Sequence, residues 1–490
     1  MIHLLYVAFH RIHLARAIAK SVGNFTVLTI FAALVQTAGW TQDLGNPPID
    51  RTSPTTLNHA KEPEDMTHGP CKVRFHEGKP TANVQFLPPL QYISGGYEPT
   101  AIAIGDLNCD RHPDIVVGHH CSSFDACLDA STVGLLLGNG DGTFQPSVTY
   151  SSGVSGIVSL AIEDVNRDGM PDLIILGCGP VNPTCLNFTN SRVAILLGNG
   201  DGTFQPPVTY DTGSVDATSV AVGDLNGDGK PDIVAAHVCD YCSIGTGTVG
   251  VLLGNGDGSF ASPVTYGSGG FVATSVAIRD VNGDGKPDLL VANGYACSDP
   301  RCDTPGVVGV LLGNGDGSFQ SAVSYSTGGR FAAWVVVADV NSDGKADLLV
   351  ANDLSDGGNC GGLTCVSSIG VLLGNGDGTF QAPKTYETGG CCAFSIVAAD
   401  LNGDGKTDVV AAHLQNANLA ILLGNGDGTL QPPVIVNVVG VQNTGLIATA
   451  DLDRNRRPDL VVAGTSATSA VDTIASVFLQ VGTKRRGRDH

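Results

Sequence analysis

Asp224-Leu-Asn-Gly-Asp-Gly-Lys-Pro-Asp232 sets side-chain oxygens at its first, third, fifth and ninth positions. Equivalent segments begin at Asp106, Asp164, Asp280, Asp339, Asp400 and Asp451, spaced 58, 60, 56, 59, 61 and 51 residues apart along the chain. Aspartate and asparagine oxygens converging from one tight loop are the hard ligands that calcium takes. A sevenfold period of this length also predicts a repeat architecture, each copy being one supersecondary unit.

The residues around the loop predict four short strands per copy. Ser219-Val-Ala-Val-Gly alternates into the loop, and Asp232-Ile-Val-Ala-Ala leaves it. Val249-Gly-Val-Leu-Leu-Gly reads as a third strand and Phe260 to Tyr266 as a fourth, with Asn255-Gly-Asp257-Gly as the hairpin turn between them. Four antiparallel strands repeated seven times predict an all-β chain, a seven-bladed β-propeller over residues 84–482. The last copy ends at Val477-Phe-Leu-Gln-Val481, its third strand, while a spare fourth-strand segment, Phe86 to Tyr92, precedes the first loop. The N-terminal strand is therefore expected to complete the final blade and cover its open edge. Alternating strand direction puts acidic loops and Gly-Asn-Gly-Asp-Gly turns on one face. Segments of variable length and composition fall on the other, where binding specificity is more readily written.

The formal net charge is −21. Of the 47 acidic residues, 21 are aspartates of the seven loops, so the acidity reads as cation sites and argues against a nucleic-acid partner. Arg11, Arg16 and Lys20 precede an apolar run from Phe25 to Ala38, which predicts a signal peptide over residues 1–39. That run is shorter than the ~20 residues of a membrane span, so secretion or the cell envelope is expected, with no span in the mature chain. Residues 40–83 read as a leader and residues 483–490 as a basic tail.

Fourteen cysteines suit an oxidising compartment. Five pairs occupy one equivalent place in consecutive copies: Cys121/Cys127, Cys178/Cys185, Cys239/Cys242, Cys297/Cys302 and Cys360/Cys365. Local disulfides explain them more economically than zinc, because no second C-x-x-C recurs at ribbon spacing. Joining Cys391 to Cys392 would stiffen a blade connection, and joining Cys71 to Cys109 would pin the leader.

Catalytic signals are sparse: there is no G-x-S-x-G, H-E-x-x-H or P-loop. At the close of the second strands, five residues after each loop ends, stand His119, Gly177, His237, Asn293, Asn352, His413 and Gly464, for which loop capping is the expected role. Trp334 begins a first strand where most copies have Ser or Ala, so it either plugs the central opening or offers an aromatic platform to a ligand.

The loop, the Gly/Asn-rich hairpin and the period together resemble the FG-GAP/VCBS repeat family, best known from integrin α propellers. The resemblance implies Ca²⁺ held by positions 1, 3, 5 and 9 with a main-chain carbonyl at 7. On this chain the ligands would be Asp164, Asn166, Asp168 and Asp172 in the second loop, and Asp224, Asn226, Asp228 and Asp232 in the third. The fourth would use Asp280, Asn282, Asp284 and Asp288, the fifth Asp339, Asn341, Asp343 and Asp347, and the sixth Asp400, Asn402, Asp404 and Asp408. Weaker sites are expected in the first loop (Asp106, Asn108, Asp110, Asp114) and the seventh (Asp451, Asp453, Asn455, Asp459). There Arg111 and Arg456 replace the glycine of position 6 and set a cation beside the site. The resemblance implies an extracellular binding or adhesion module for a glycan or a protein. A carbohydrate-active lyase or dehydratase, or a purely structural envelope component, is the alternative.

Overall fold

Each acidic loop runs into a continuous apolar stretch such as Asp288-Leu-Leu-Val-Ala-Asn-Gly-Tyr295, and each of these stretches is a strand. Leu289, Leu290, Val291 and Ala292 are all fully buried. A strand buried along its whole length is covered on both faces, which defines the architecture: four-stranded sheets stacked side by side.

The computed structural model describes residues 84–121, 131–178, 190–239, 246–296, 304–354, 366–414, 417–469 and 472–481. The expected signal peptide, leader and basic tail lie outside these residues. No helix occurs among them. Five sheets have four antiparallel strands each, and one has seven. The seven-stranded sheet is two units sharing one long strand, Val208–Gly223, which is the outermost strand of the second unit and the innermost of the third. The last sheet orders Leu90–Ile93, Thr473–Phe478, Asp459–Ser466 and Val441–Ala450, so the N-terminal strand does complete it. Leu90 faces Val477 and Ile93 faces Ile474, and Phe86 adds a bridge to Gln480.

The fourth strand starts later than its sequence suggests. In the third unit it spans Val264–Gly267 after Pro263, and in the fourth it starts at the same place, Val323, although Ala322 stands where the third has proline. Phe260 instead makes an isolated bridge to Gly254. Apart from the long strand that the second unit shares with the third, these outermost strands are only four residues long, which limits the free edge that each sheet presents.

Hydrophobic clusters join consecutive units. Leu225, Val234 and Val251 pack with Val276, Leu289 and Val291 of the next unit. Ile115 and Leu136 of the first unit pack with Leu446, Val461 and Val477 of the last. Tyr–Phe pairs repeat along the outer seam: Tyr150 with Phe204, Tyr210 with Phe260, Tyr266 with Phe319 and Tyr325 with Phe380. All are edge-to-face at 5.2–5.6 Å between centroids.

Candidate metal centres

The seven loops share one hydrogen-bond pattern. The position-1 aspartate accepts from the N–H of position 6 at 2.7–2.8 Å in every copy. The position-3 oxygen accepts from the N–H of position 5 at 2.8–3.2 Å. Position 5 in turn accepts from the N–H of position 7 at 2.7–3.0 Å. These side-chain turns wind the loop around its own carboxylates.

Winding requires left-handed backbone at positions 4 and 6. Glycine supplies it at both places in the third, fourth and sixth loops. Arg111 and Arg456 adopt the same conformation, with φ of 68° and 66°. The glycines they replace have open space where a Cβ would stand, so the arginines meet backbone strain but no clash, and the loop shape survives.

Position 9 holds the loop to the sheet. Each of Asp114, Asp172, Asp232, Asp288, Asp347, Asp408 and Asp459 is fully buried. One oxygen accepts from the N–H of position 2, from Leu107 to Leu452, at 2.8–3.0 Å. The other accepts from a backbone N–H where the third strand ends, Gly138 in the first unit and Gln480 in the seventh, at 2.7–2.8 Å. The acidic loop and hairpin therefore share one face and one carboxylate. Burial, reinforced by the other aspartates of each loop, pushes Asp114, Asp172, Asp408 and Asp459 up to about 6. Like charges buried this close together are the situation that a bound cation relieves.

The donors are all oxygens, which suits a hard divalent cation. Among the described residues, Asp451, Asp453 and Asp459 of the seventh loop bring three carboxylate oxygens within 4.8 Å of one another. Asp451 Oδ1 there is buried without a hydrogen-bond partner. This loop is one of the two expected to be weak. Asp453, a carboxylate where the other loops have asparagine, explains the convergence. The Asp of each Gly-Asn-Gly-Asp-Gly turn is occupied locally: Asp141 and Asp257 accept from the N–H and hydroxyl of the residue two further on.

At the opposite end of the units, the histidines and asparagines at the close of the second strands are polar ties between neighbouring units. His119, His237 and His413 are fully buried, and their Nε2 atoms lie 2.8, 2.9 and 2.8 Å from the hydroxyls of Ser94, Thr212 and Thr388. In the fourth and fifth units Asn293 and Asn352 accept from Ser268 and Thr327 at 2.5 and 2.6 Å. Each hydroxyl closes the outermost strand of the preceding unit. The repeat spacing exposed these positions, but not the hydroxyl each one meets.

A second tie runs through the first strands. Ser159, Ser219, Ser275 and Ser395 accept from the N–H of Val220, Val276, Val335 and Ile447 of the following unit at 3.2–3.4 Å. Trp334 occupies the equivalent place in the fifth unit, opposite Ala351. It is half-buried and packs against the cluster holding Ala393 and Ile396. Its contacts are those of a seam filler.

Two expected disulfides are not formed. Cys109 is an exposed thiol, so it is not bridged to Cys71. Its left-handed backbone (φ 59°) is instead part of the acidic loop's winding. Cys392 is bridged but Cys391 is not. Neighbouring Cα atoms across a trans peptide are ~3.8 Å apart, short of the ~4.4–6.8 Å span a disulfide takes. Cys178 is also bridged. Its expected partner Cys185, with Cys71, Cys127, Cys242, Cys297, Cys302, Cys360 and Cys365, lies outside the described residues.

Repeated four-stranded antiparallel sheets, each wound around an acidic loop, define a propeller-type repeat protein. The pattern of the FG-GAP-like repeat matches residues 126–175, 184–235, 238–291, 296–350, 360–411 and 400–462, and the chain belongs to that family. Among curated relatives, the bovine (Bos taurus) phosphatidylinositol-glycan-specific phospholipase D is 27% identical over 248 residues, covering 46% of this chain and 27% of that protein. The rat (Rattus norvegicus) protein of the same name is 31% identical over 181 residues, covering 32% of this chain and 20% of its own length. The chain thus spans only about a quarter of the relatives it matches. Among solved structures, BBS1N in complex with ARL6DN aligns over 81% of this chain and 98% of that one, at a TM-score of 0.50 and 10% identity, a likeness of fold alone.

Proposed function

We propose that the chain is an extracellular propeller whose seven units close into one ring, stapled on one face by Ca²⁺, and that it acts as a binding module for a glycan or a protein. One observation carries this reading: the two ends of the units differ in kind. The loop end repeats a single hydrogen-bond pattern seven times with its oxygens wound inward. At the other end the links between second and third strands run from His413–Asn418 to Leu354–Ser368, differing in length and sequence. A constant scaffold carrying variable loops is how binding surfaces are diversified.

In this reading the position-1, -3, -5 and -9 side chains hold the ion, whose contribution when bound is to neutralise buried carboxylates and stabilise the folded state by mass action. A relative named for a glycan-bearing lipid agrees with a glycan as the ligand class. Packing of the last unit on the first supports ring closure. The test is binding of the purified chain to a glycan array and to extracellular-matrix proteins, with calcium and with chelator. Selective, calcium-dependent capture is expected, and no selective capture in either arm would contradict the module.

One observation favours an enzyme as the second reading. Asp353 ends a second strand at the variable end, and burial pushes its carboxyl up to about 7. Burial also raises the phenol of Tyr295, with Asp353 and Arg330 acting on it electrostatically. Turnover of an acidic polysaccharide that disappears in Asp353→Asn would establish this alternative.

A further inference from the structure

The residue at position 7 divides the second to sixth acidic loops into two kinds, the first and seventh having His112 and Arg457 there. In the third to sixth loops it is Lys230, Lys286, Lys345 or Lys406, and its Nζ lies 3.1, 3.6, 3.7 or 3.7 Å from Oδ2 of the position-5 aspartate. The same residue's backbone N–H donates to Oδ1 of that carboxylate. Both oxygens of Asp228, Asp284, Asp343 and Asp404 are thus engaged by one residue. The lysine stem is held in place by the hairpin of its own unit. A Cβ on Gly256, Gly315, Gly376 or Gly426 would meet it at 2.9–3.1 Å.

The second loop has the same backbone turn and the same packing without the charge. Met170 donates its N–H to Asp168 Oδ1 at 2.9 Å, and its Sδ would stand 3.0 Å from a Cβ on Gly200. Oδ2 of Asp168 is met by the neutral amide of Asn166 at 2.8 Å. The position-7 side chain therefore lies in the same place in both kinds of loop and differs in charge, while the second loop carries its own cation, Arg167, at position 4.

We propose that Lys230, Lys286, Lys345 and Lys406 are built-in counter-cations that compete with the metal ion for the position-5 carboxylate, so that the second loop, with Met170, is filled at lower calcium than the third to sixth. This rests on the calcium reading of the loops. Without the ion, the ammonium partly neutralises a loop of three aspartates. With it, a monovalent cation stays within a few ångströms of a divalent one, and Coulomb repulsion at ~6 Å in a water-like medium amounts to about tenfold in affinity. The lysines trade binding strength for an ion-free loop that keeps its shape, and calcium response is graded around the molecule.

The experiment uses the full chain stripped with chelator, titrated with Ca²⁺ alone in a calorimeter and melted with and without the ion. In the variant combining Lys230→Met, Lys286→Met, Lys345→Met and Lys406→Met, the weaker class of sites should tighten by up to about tenfold. The melting temperature should fall without calcium and recover with it. Met170→Lys should move one site from the tighter to the weaker class. Unchanged affinities in both variants, with calcium still binding, would overturn the counter-cation role while leaving the calcium reading intact. An unaltered chain that takes up no calcium would overturn both.

Discussion

At the scale of single residues, the loop positions separate into those that shape the backbone and those that anchor it. Arg111 and Arg456 sit in left-handed backbone where five other loops use glycine. Strain there is on the order of 1 kcal/mol. Arg111→Gly or Arg456→Gly should therefore raise unfolding free energy by about 1 kcal/mol, read by urea denaturation, and a loss of stability would contradict the strain argument. Position 9 should respond the other way. Asp288 accepts N–H groups from Val281 and Gly313 with its two oxygens, and Asp288→Asn leaves one donor facing an amide. A loss of about 1–3 kcal/mol is expected, visible in the same measurement. The nine-residue spacing alone exposed these loops. What spacing could not reveal is that position 9 also holds the hairpin, since Gly313 is 25 residues away. Nor did it reveal that the arginine loops keep their shape, which depends on the empty space beside position 6.

At the scale of elements, strand order and the N-terminal strand's place in the last sheet followed from alternation and from counting fourth strands. The fourth-strand boundaries did not: the phenylalanine expected to open the strand, such as Phe260 or Phe319, makes an isolated bridge instead and the ladder begins four residues later. The disulfide between Cys391 and Cys392 failed on the short Cα spacing of adjacent residues, which their numbering already carries. The histidine ties add a pH signature to the seams between units. Burial lowers His119, His237 and His413 to about 4 from the ordinary 6.5. Between those values the unfolded chain takes up protons that the folded chain refuses, so stability is complete above pH 6.5 and falls as pH drops toward 4. The slope approaches ~1.4 kcal/mol per pH unit for each histidine. The position-9 carboxyls shift upward and oppose this in the ion-free protein, so the comparison needed is between variants. His237→Asn, which copies the tie of the fourth and fifth units, should flatten the fall by roughly a third of the histidine slope. The groups facing His237 are Thr212, Thr248 and Asp211. Urea melts from pH 7 to 4.5 measure it, and an unchanged slope would contradict the tie's role.

At the scale of the whole molecule, the chain reads as a scaffold with two unlike faces. Its stability depends on seams between like units and on the strand Leu90–Ile93 that pairs with Thr473–Phe478. Removing residues 1–93 should bare that edge and yield a destabilised, self-associating chain, detected by light scattering; a monomer of unchanged stability would contradict the clasp. The central claim is that the acidic loops are calcium staples. Its most direct test is the melting temperature of the chelator-stripped chain as Ca²⁺ is added, with Mg²⁺ as control. The account predicts a saturable rise with Ca²⁺ and little with Mg²⁺, and a melting temperature indifferent to Ca²⁺ would contradict it.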